Sequence, residues 1–170
     1  MDLWFLDEVH FQQYGSRCRM WVPPEQSDPV LWHHPTRRSV GYFGAVRLRD
    51  GKFVFQRETE RFNTVTFHAF YTYLKRVSSR SGRHVVAIAD NARYHHSIPC
   101  HPQDNLFRLD FLPPYSPDLN PIERVWKLIR RLCLHNRYFP LLDDVITAVE
   151  TQFAQWVHGN HTLKRLCAIT

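Results

Sequence analysis

Leu112-Pro-Pro-Tyr-Ser-Pro-Asp-Leu-Asn-Pro-Ile-Glu-Arg-Val-Trp126 joins a strand to a helix. Its prolines at 113, 114, 117 and 121 forbid a regular helix through the first half and set a rigid turn. From Ile122 the pattern changes. Ile122, Val125, Trp126, Ile129 and Cys133 share one helical face, while Arg124, Lys127 and Arg131 share another. Asn120, Pro121 and Glu123 read as the cap, first and third positions of a capping box. A carboxylate on a first helical turn can also point back toward a sheet edge, so Glu123 carries two readings.

Upstream, residues 106–112 alternate as a strand, and residues 84–89 are apolar enough for a strand buried on both faces. That run ends on Asp90. Residues 2–6 form a similar apolar run that stops at Asp7-Glu8. Between them, residues 40–48 and 52–55 flank Asp50-Gly51, a strong hairpin signal. Phe67, Phe70, Tyr71, Leu74 and Val77 then recur at helical spacing, with Asn63 as cap and Ser81-Gly82 as stop. Residues 12–38 hold four prolines and read as irregular. After Pro140, Leu142, Val145, Ile146, Val149, Phe153 and Trp156 make the buried stripe of a last helix. The order is strand, hairpin, helix, strand, strand, helix, helix. It predicts an α/β fold: one mixed sheet of about five strands flanked by helices. A single domain over 1–160 and a C-terminal tail over 161–170 are expected, with no internal linker.

Asp7 and Asp90 each close an apolar strand. If those strands are parallel neighbours, the two carboxylates stand side by side at the edge where α/β folds hold ligands. Like charges so placed repel, and a divalent cation with its preference for oxygen ligands removes the conflict. The alternative for either residue alone is that it begins a turn.

Composition narrows the setting. A chain of 170 residues with 44% hydrophobic and 14% aromatic content is not globally disordered. No run of eighteen apolar residues and no secretory signal is present, so a cytoplasmic protein without a membrane span is expected. The net charge is +6, from 18 Arg and 4 Lys against 16 acidic residues. An arginine-rich surplus suits a polyanionic partner, and an ordinary soluble surface is the alternative. Arg124, Lys127, Arg130 and Arg131 on the helix, with Arg37 and Arg38 in the irregular segment, are the candidate nucleic-acid contacts. Cysteines 18, 100, 133 and 167 form no CxxC pair and are expected as reduced, buried thiols. The pairs His33-His34, His95-His96 and Cys100-His101 are adjacent, and His158 and His161 flank a helix-ending Gly159, so no zinc site is expected.

Three segments, Leu6-Asp7-Glu8, Asp90-Asn91-Ala92-x-x-His95 and the stretch 112–126, together resemble the DDE transposases of the mariner superfamily, most closely the bacterial insertion-sequence branch. Their order and the 32 residues between Asp90 and Glu123 suit that family. The resemblance implies an RNase H-like fold with Asp7, Asp90 and Glu123 as catalytic and metal-binding triad, and Asn91 and His95 as site support. It further implies two Mg²⁺ ions, replaceable by Mn²⁺, with Asp7 bridging both. The implied activity is DNA cleavage and strand transfer on transposon ends and target DNA, by a homodimer in a synaptic complex. Trp21-Val-Pro-Pro-Glu departs from the basic-Gly ending common in relatives, which bears on a loop contact and not on the triad. Residues 1–170 contain no helix-turn-helix domain, so end recognition is expected from a separately encoded fragment. Two alternatives stand beside this: an inactive DNA-binding or regulatory remnant that assembles with a full-length partner, and a different RNase H-like nuclease.

Overall fold

The computed structural model describes residues 1–25, 30, 32, 35–97, 106–114 and 116–169. Five strands, β1 (Asp2–Gln12), β2 (Ser39–Arg47), β3 (Phe53–Glu58), β4 (Val85–Ala89) and β5 (Phe107–Phe111), form one sheet in the order β3-β2-β1-β4-β5. β1, β2 and β3 are antiparallel, whereas β4 runs parallel to both β1 and β5. The helices are α1 (Thr64–Ser79), α2 (Ile122–Ile129), α3 (Leu142–Ala154) and α4 (His161–Leu166).

Strand alternation divides the core into two layers. On one face Phe5, Val9 and Phe11 of β1 pack with Trp126 of α2 and with Val145, Val149 and Phe153 of α3. On the other face Trp4 and Leu6 pack with Phe67, Phe70 and Leu74 of α1. Asn63 caps α1 as expected, accepting from Val65 and Thr66 N–H at 2.8 and 3.1 Å. The hairpin turns at Gly51, whose φ of 68° favours glycine.

Several expectations are corrected. β1 does not stop at Asp7. It loses β4 after Phe5 but stays paired to β2 through Gln12, and Val9 and Phe11 resume the apolar alternation. β4 is buried only against α1, through Val85, Ala87 and Ala89; Val86 and Ile88 on its other face are half-buried. Residues 161–170 do not begin as a tail. α4 is capped by Asn160, which accepts from Leu163 N–H at 3.1 Å, and Leu163 and Cys167 are fully buried. Its six residues are too few to show a periodicity in sequence. Cys133 and Cys167 are buried thiols, but Cys18 is exposed. Cys100, His101 and His33-His34 lie outside the described residues.

The β2–β3 turn carries a buried charge cluster. Asp2 is wholly buried and is met by Arg47 at 3.0 Å and by Arg49 at 2.9 Å. Arg47 also grips Asp50 with two nitrogens, at 2.9 and 2.6 Å. Burial would raise the Asp50 carboxyl, but Arg47 and the Lys52 N–H hold it below the usual carboxylate range. Removing one partner of a buried ion pair strands the other, at roughly 3–5 kcal/mol. Asp2 keeps Arg49 when Arg47 is lost, so Arg47→Met should lower unfolding stability by about 1.5–3 kcal/mol in a urea titration. Because the Asp50 value is depressed, its contribution is present above about pH 4 and lost as pH falls further. Asp50→Asn should remove that part of the acid limb of the stability profile.

Candidate active site

The pairing of β1 with β4 runs from Asp2–Val85 to Phe5–Ile88. Extending the same offset sets Asp7 opposite Asp90, just past the last paired residues, where the two strands part. Asp7 is still held across to Gly44 of β2, and Asp90 follows directly on Ala89. Glu123 enters from the first turn of α2. Asp7, Asp90 and Glu123, with Asn91 and Asn120, line one cleft of about 460 Å³.

Glu123 is not the capping-box residue its spacing suggested. No side-chain bond closes the helix start at Pro121. Asn120 is the cap that its spacing predicts: its Oδ1 accepts from Ile122 N–H at 3.4 Å, and its Nδ2 donates to the Leu6 carbonyl at 3.0 Å. This second bond ties the start of α2 to the residue before Asp7. The Glu123 carboxylate is left to the cleft.

The carboxylates are held by different means. Asp7 is largely buried beside Glu8 and Glu123, and burial followed by those two charges pushes its pKa up to about 8. The Trp126 indole N–H donates to Asp7 Oδ2 at 3.0 Å and opposes that rise. Asp90 goes the other way. His95 Nδ1 lies 2.7 Å from its Oδ1, and the Ala92 N–H donates to the same oxygen at 3.1 Å, holding Asp90 below the usual carboxylate range. His95 itself is buried, which would favour the neutral ring, yet Asp90 and Glu8 together raise it to about 9.

Glu8 is the participant that sequence reasoning missed. Its Oε1 receives His95 Nε2 at 2.9 Å and the Tyr94 hydroxyl. Glu8 precedes Val9 and follows Asp7 in a continuous strand, so it faces α1 while Asp7 faces α2. The legible signal was an acidic residue at an inward-facing position, with a histidine elsewhere to answer it. Glu8, Asp90 and His95 offer ligand atoms within 4.8 Å of one another. His95 turns opposite ring nitrogens to the two carboxylates, however, which is the geometry of a doubly hydrogen-bonded imidazolium. Asn91 ties the turn after β4 to β5 by donating to the Leu112 carbonyl, and accepts from His96 at 3.1 Å.

The basic candidates are not brought together. Lys127 and Arg131 are exposed on α2 and the π-helical turn that follows it. Arg124 reaches back to the Leu166 and Ala168 carbonyls at 3.0 and 3.2 Å. Arg130 is half-buried, its guanidinium 5.7 Å from the centre of the Phe11 ring. Arg37 and Arg38 are exposed and do not line the cleft.

The profile of the DDE superfamily endonucleases matches residues 2–146. The chain belongs to that family. Among solved structures, this DDE endonuclease domain is similar to the Mos1 mariner paired-end complex with Mn, at a TM-score of 0.68 and 17% identity, covering 97% of this chain and 51% of that one. It is similar also to the catalytic domain of Mos1 mariner transposase, at 0.57 and 16%, covering 97% and 78%. The fold is thereby RNase H-like. Among curated proteins, an uncharacterised protein y4pE/y4sA of Sinorhizobium fredii is 46% identical over 66 residues, 39% of this chain and 48% of that protein. The DDE domain thus spans about half the length of the curated relative and of the transposase chain in the paired-end complex. Among the described residues, no helix is long and apolar enough to cross a membrane.

The donor set fits a hard divalent cation. The cleft offers carboxylate and amide oxygens, and Asp7 is driven toward its protonated form first by burial and then by Glu8 and Glu123, whose charge a cation would offset. His95→Ala should leave Glu8 buried without its cation. A loss of roughly 3–5 kcal/mol in unfolding stability is expected, and Glu8→Gln in the same background should recover part of it.

Proposed function

We propose that this domain is the catalytic core of a transposase, cutting DNA and joining a freed 3′-hydroxyl to target DNA with Mg²⁺ or Mn²⁺ held by Asp7, Asp90 and Glu123. The observation that carries the reading is the convergence of three carboxylates, from β1, the end of β4 and α2, on one cleft. Membership of the DDE endonucleases supports it, as does likeness to a transposase solved with Mn.

When bound, a pair of such ions would lower the pKa of an attacking water or 3′-hydroxyl and stabilise the leaving oxygen. The residues of the domain prepare for this. Trp126 fixes Asp7 from below, His95 fixes Asp90 from the α1 side, and Asn120 sets the helix carrying Glu123 against the strand carrying Asp7. Two of the carboxylates, and the helix that carries the third, are therefore held before substrate arrives, which limits the reorganisation that accompanies reaction. Leu112 and the prolines at 113 and 114 wall the cleft opposite the strands.

DNA contact is assigned to Lys127, Arg131 and Arg124, the exposed cations of the α2 segment, Arg124 as far as its bonds to the Leu166 and Ala168 carbonyls allow, with half-buried Arg130 beside them. Arg37 and Arg38 are more distant candidates. Recognition of the transposon ends is assigned to a separate helix-turn-helix segment, and synapsis of two ends to a dimer.

The test is nicking of supercoiled DNA by the purified domain. Wild type should convert it to open circles with Mg²⁺ or Mn²⁺ and not with chelator. Asp7→Asn, Asp90→Ala and Glu123→Gln should each fall to the chelator level. If wild type and Asp90→Ala are equally inert while DNA still binds in a salt-sensitive way, the domain is a binding remnant and the enzymatic reading fails.

A further inference from the structure

Asp7 lies on β1 directly across from Gly44 of β2. Gly44 is not among the glycines with a left-handed backbone, so conformational freedom does not account for it. Space does. A Cβ at this position would sit 2.3 Å from the outer edge of the Trp126 ring and 3.0 Å from Phe53. The indole therefore occupies the volume that any side chain at position 44 would fill. From there it is clasped edge-on by Phe53 and Phe11, with ring centroids 5.8 and 6.4 Å away, and it is 1% exposed. Its only polar atom reaches Asp7 Oδ2 at 3.0 Å.

That bond is not a routine consequence of burying tryptophan. Trp4, on the other face of the same strand, buries its indole N–H without a hydrogen-bond partner among the described residues. The terminal torsion of an aspartate is broad and two-fold, so a buried carboxylate needs an external contact to fix its plane.

We propose that Trp126 is a positioning residue for Asp7, and that Gly44 is the gap in the sheet that admits it. Trp126 sets the rotation of the Asp7 carboxylate through the indole N–H, while the aromatic cluster sets the indole. The proposal rests on the assignment of Asp7 as a metal ligand. It predicts that the N–H matters to metal affinity, separately from what the ring contributes to stability.

Mn²⁺ binding to the purified domain, followed by electron paramagnetic resonance, tests this with Trp126→Phe, Gly44→Ala and Asp7→Asn. Outer-shell partners of metal ligands typically account for 10–100-fold in affinity. Trp126→Phe should weaken Mn²⁺ binding by about 10-fold or more while keeping the wild-type circular dichroism, and Gly44→Ala should do likewise. Nicking by Trp126→Phe should then need more metal for half-maximal rate. Wild-type Mn²⁺ affinity in a folded Trp126→Phe, with Asp7→Asn binding weakly, overturns the proposal and leaves the site intact. Unchanged affinity in Asp7→Asn overturns both. A measurement on the unmodified protein guards against misfolding of the variants. On Mg²⁺ addition the indole N–H resonance of Trp126 should shift while that of Trp4 stays, and an unmoved Trp126 signal likewise sinks the idea.

Discussion

Carboxylates forced together where β1 and β4 part are the constraint that the rest of this fold answers. The parallel register brings Asp7 level with Asp90, and α2 adds Glu123 to the same cleft. Left to themselves such groups repel; burial first, and then the Glu8 and Glu123 charges, push Asp7 up to about 8. Each is held from a different quarter of the chain: Asp90 by His95, Asp7 by Trp126, and the start of α2 by Asn120 bonded to the Leu6 carbonyl. An isolated aspartate at a strand end needs no such bracing, since turn chemistry and water would satisfy it.

How much of this was legible follows from how far each signal travels along the chain. Asp7 and Asp90 stood out because each interrupts an apolar run, and α1, α2 and α3 because their stripes extend over three or more turns. Those are local patterns, and they determine element type well. Glu123 was legible as to position but not as to role. The capping-box spacing competed with the cleft; Asn120 holds the cap position that spacing gave it, and its amide also reaches β1. Glu8 and the Trp126 N–H were illegible in role for a different reason. Their partners lie 87 and 119 residues away, and nothing local to Glu8 announces His95. The length of β1 was misread at the same place, because a charged pair in mid-strand looks like a strand end until its partners are known.

Charge tells a similar story at larger scale. The surplus of +6 suggested a surface for a polyanion, yet the arginines are not free in equal measure. Arg47 and Arg49 hold Asp2, Arg124 grips the carbonyls that close α4, and Arg130 lies on Phe11. Arginine serves these places well because its planar fork satisfies several acceptors and its face stacks on rings. On the α2 segment Lys127 and Arg131 face solvent, as does Arg124 while bonded to those carbonyls.

Adjacent residues on a strand face opposite ways, and Asp7-Glu8 exploits that fully. Asp7 turns toward the layer of α2 and α3, where Trp126 is locked by Phe11 and Phe53. Glu8 turns toward the layer of α1, where His95 packs on Phe67 at 4.1 Å between ring centres. One dipeptide thus couples both hydrophobic layers to a single edge of the sheet. Phe67 of α1 packs on the His95 that holds Asp90, and Phe153 of α3 packs on the Trp126 that holds Asp7. The geometry of the cleft is in this sense a property of the whole core. That is why its supports cannot be found by inspecting the three carboxylates alone.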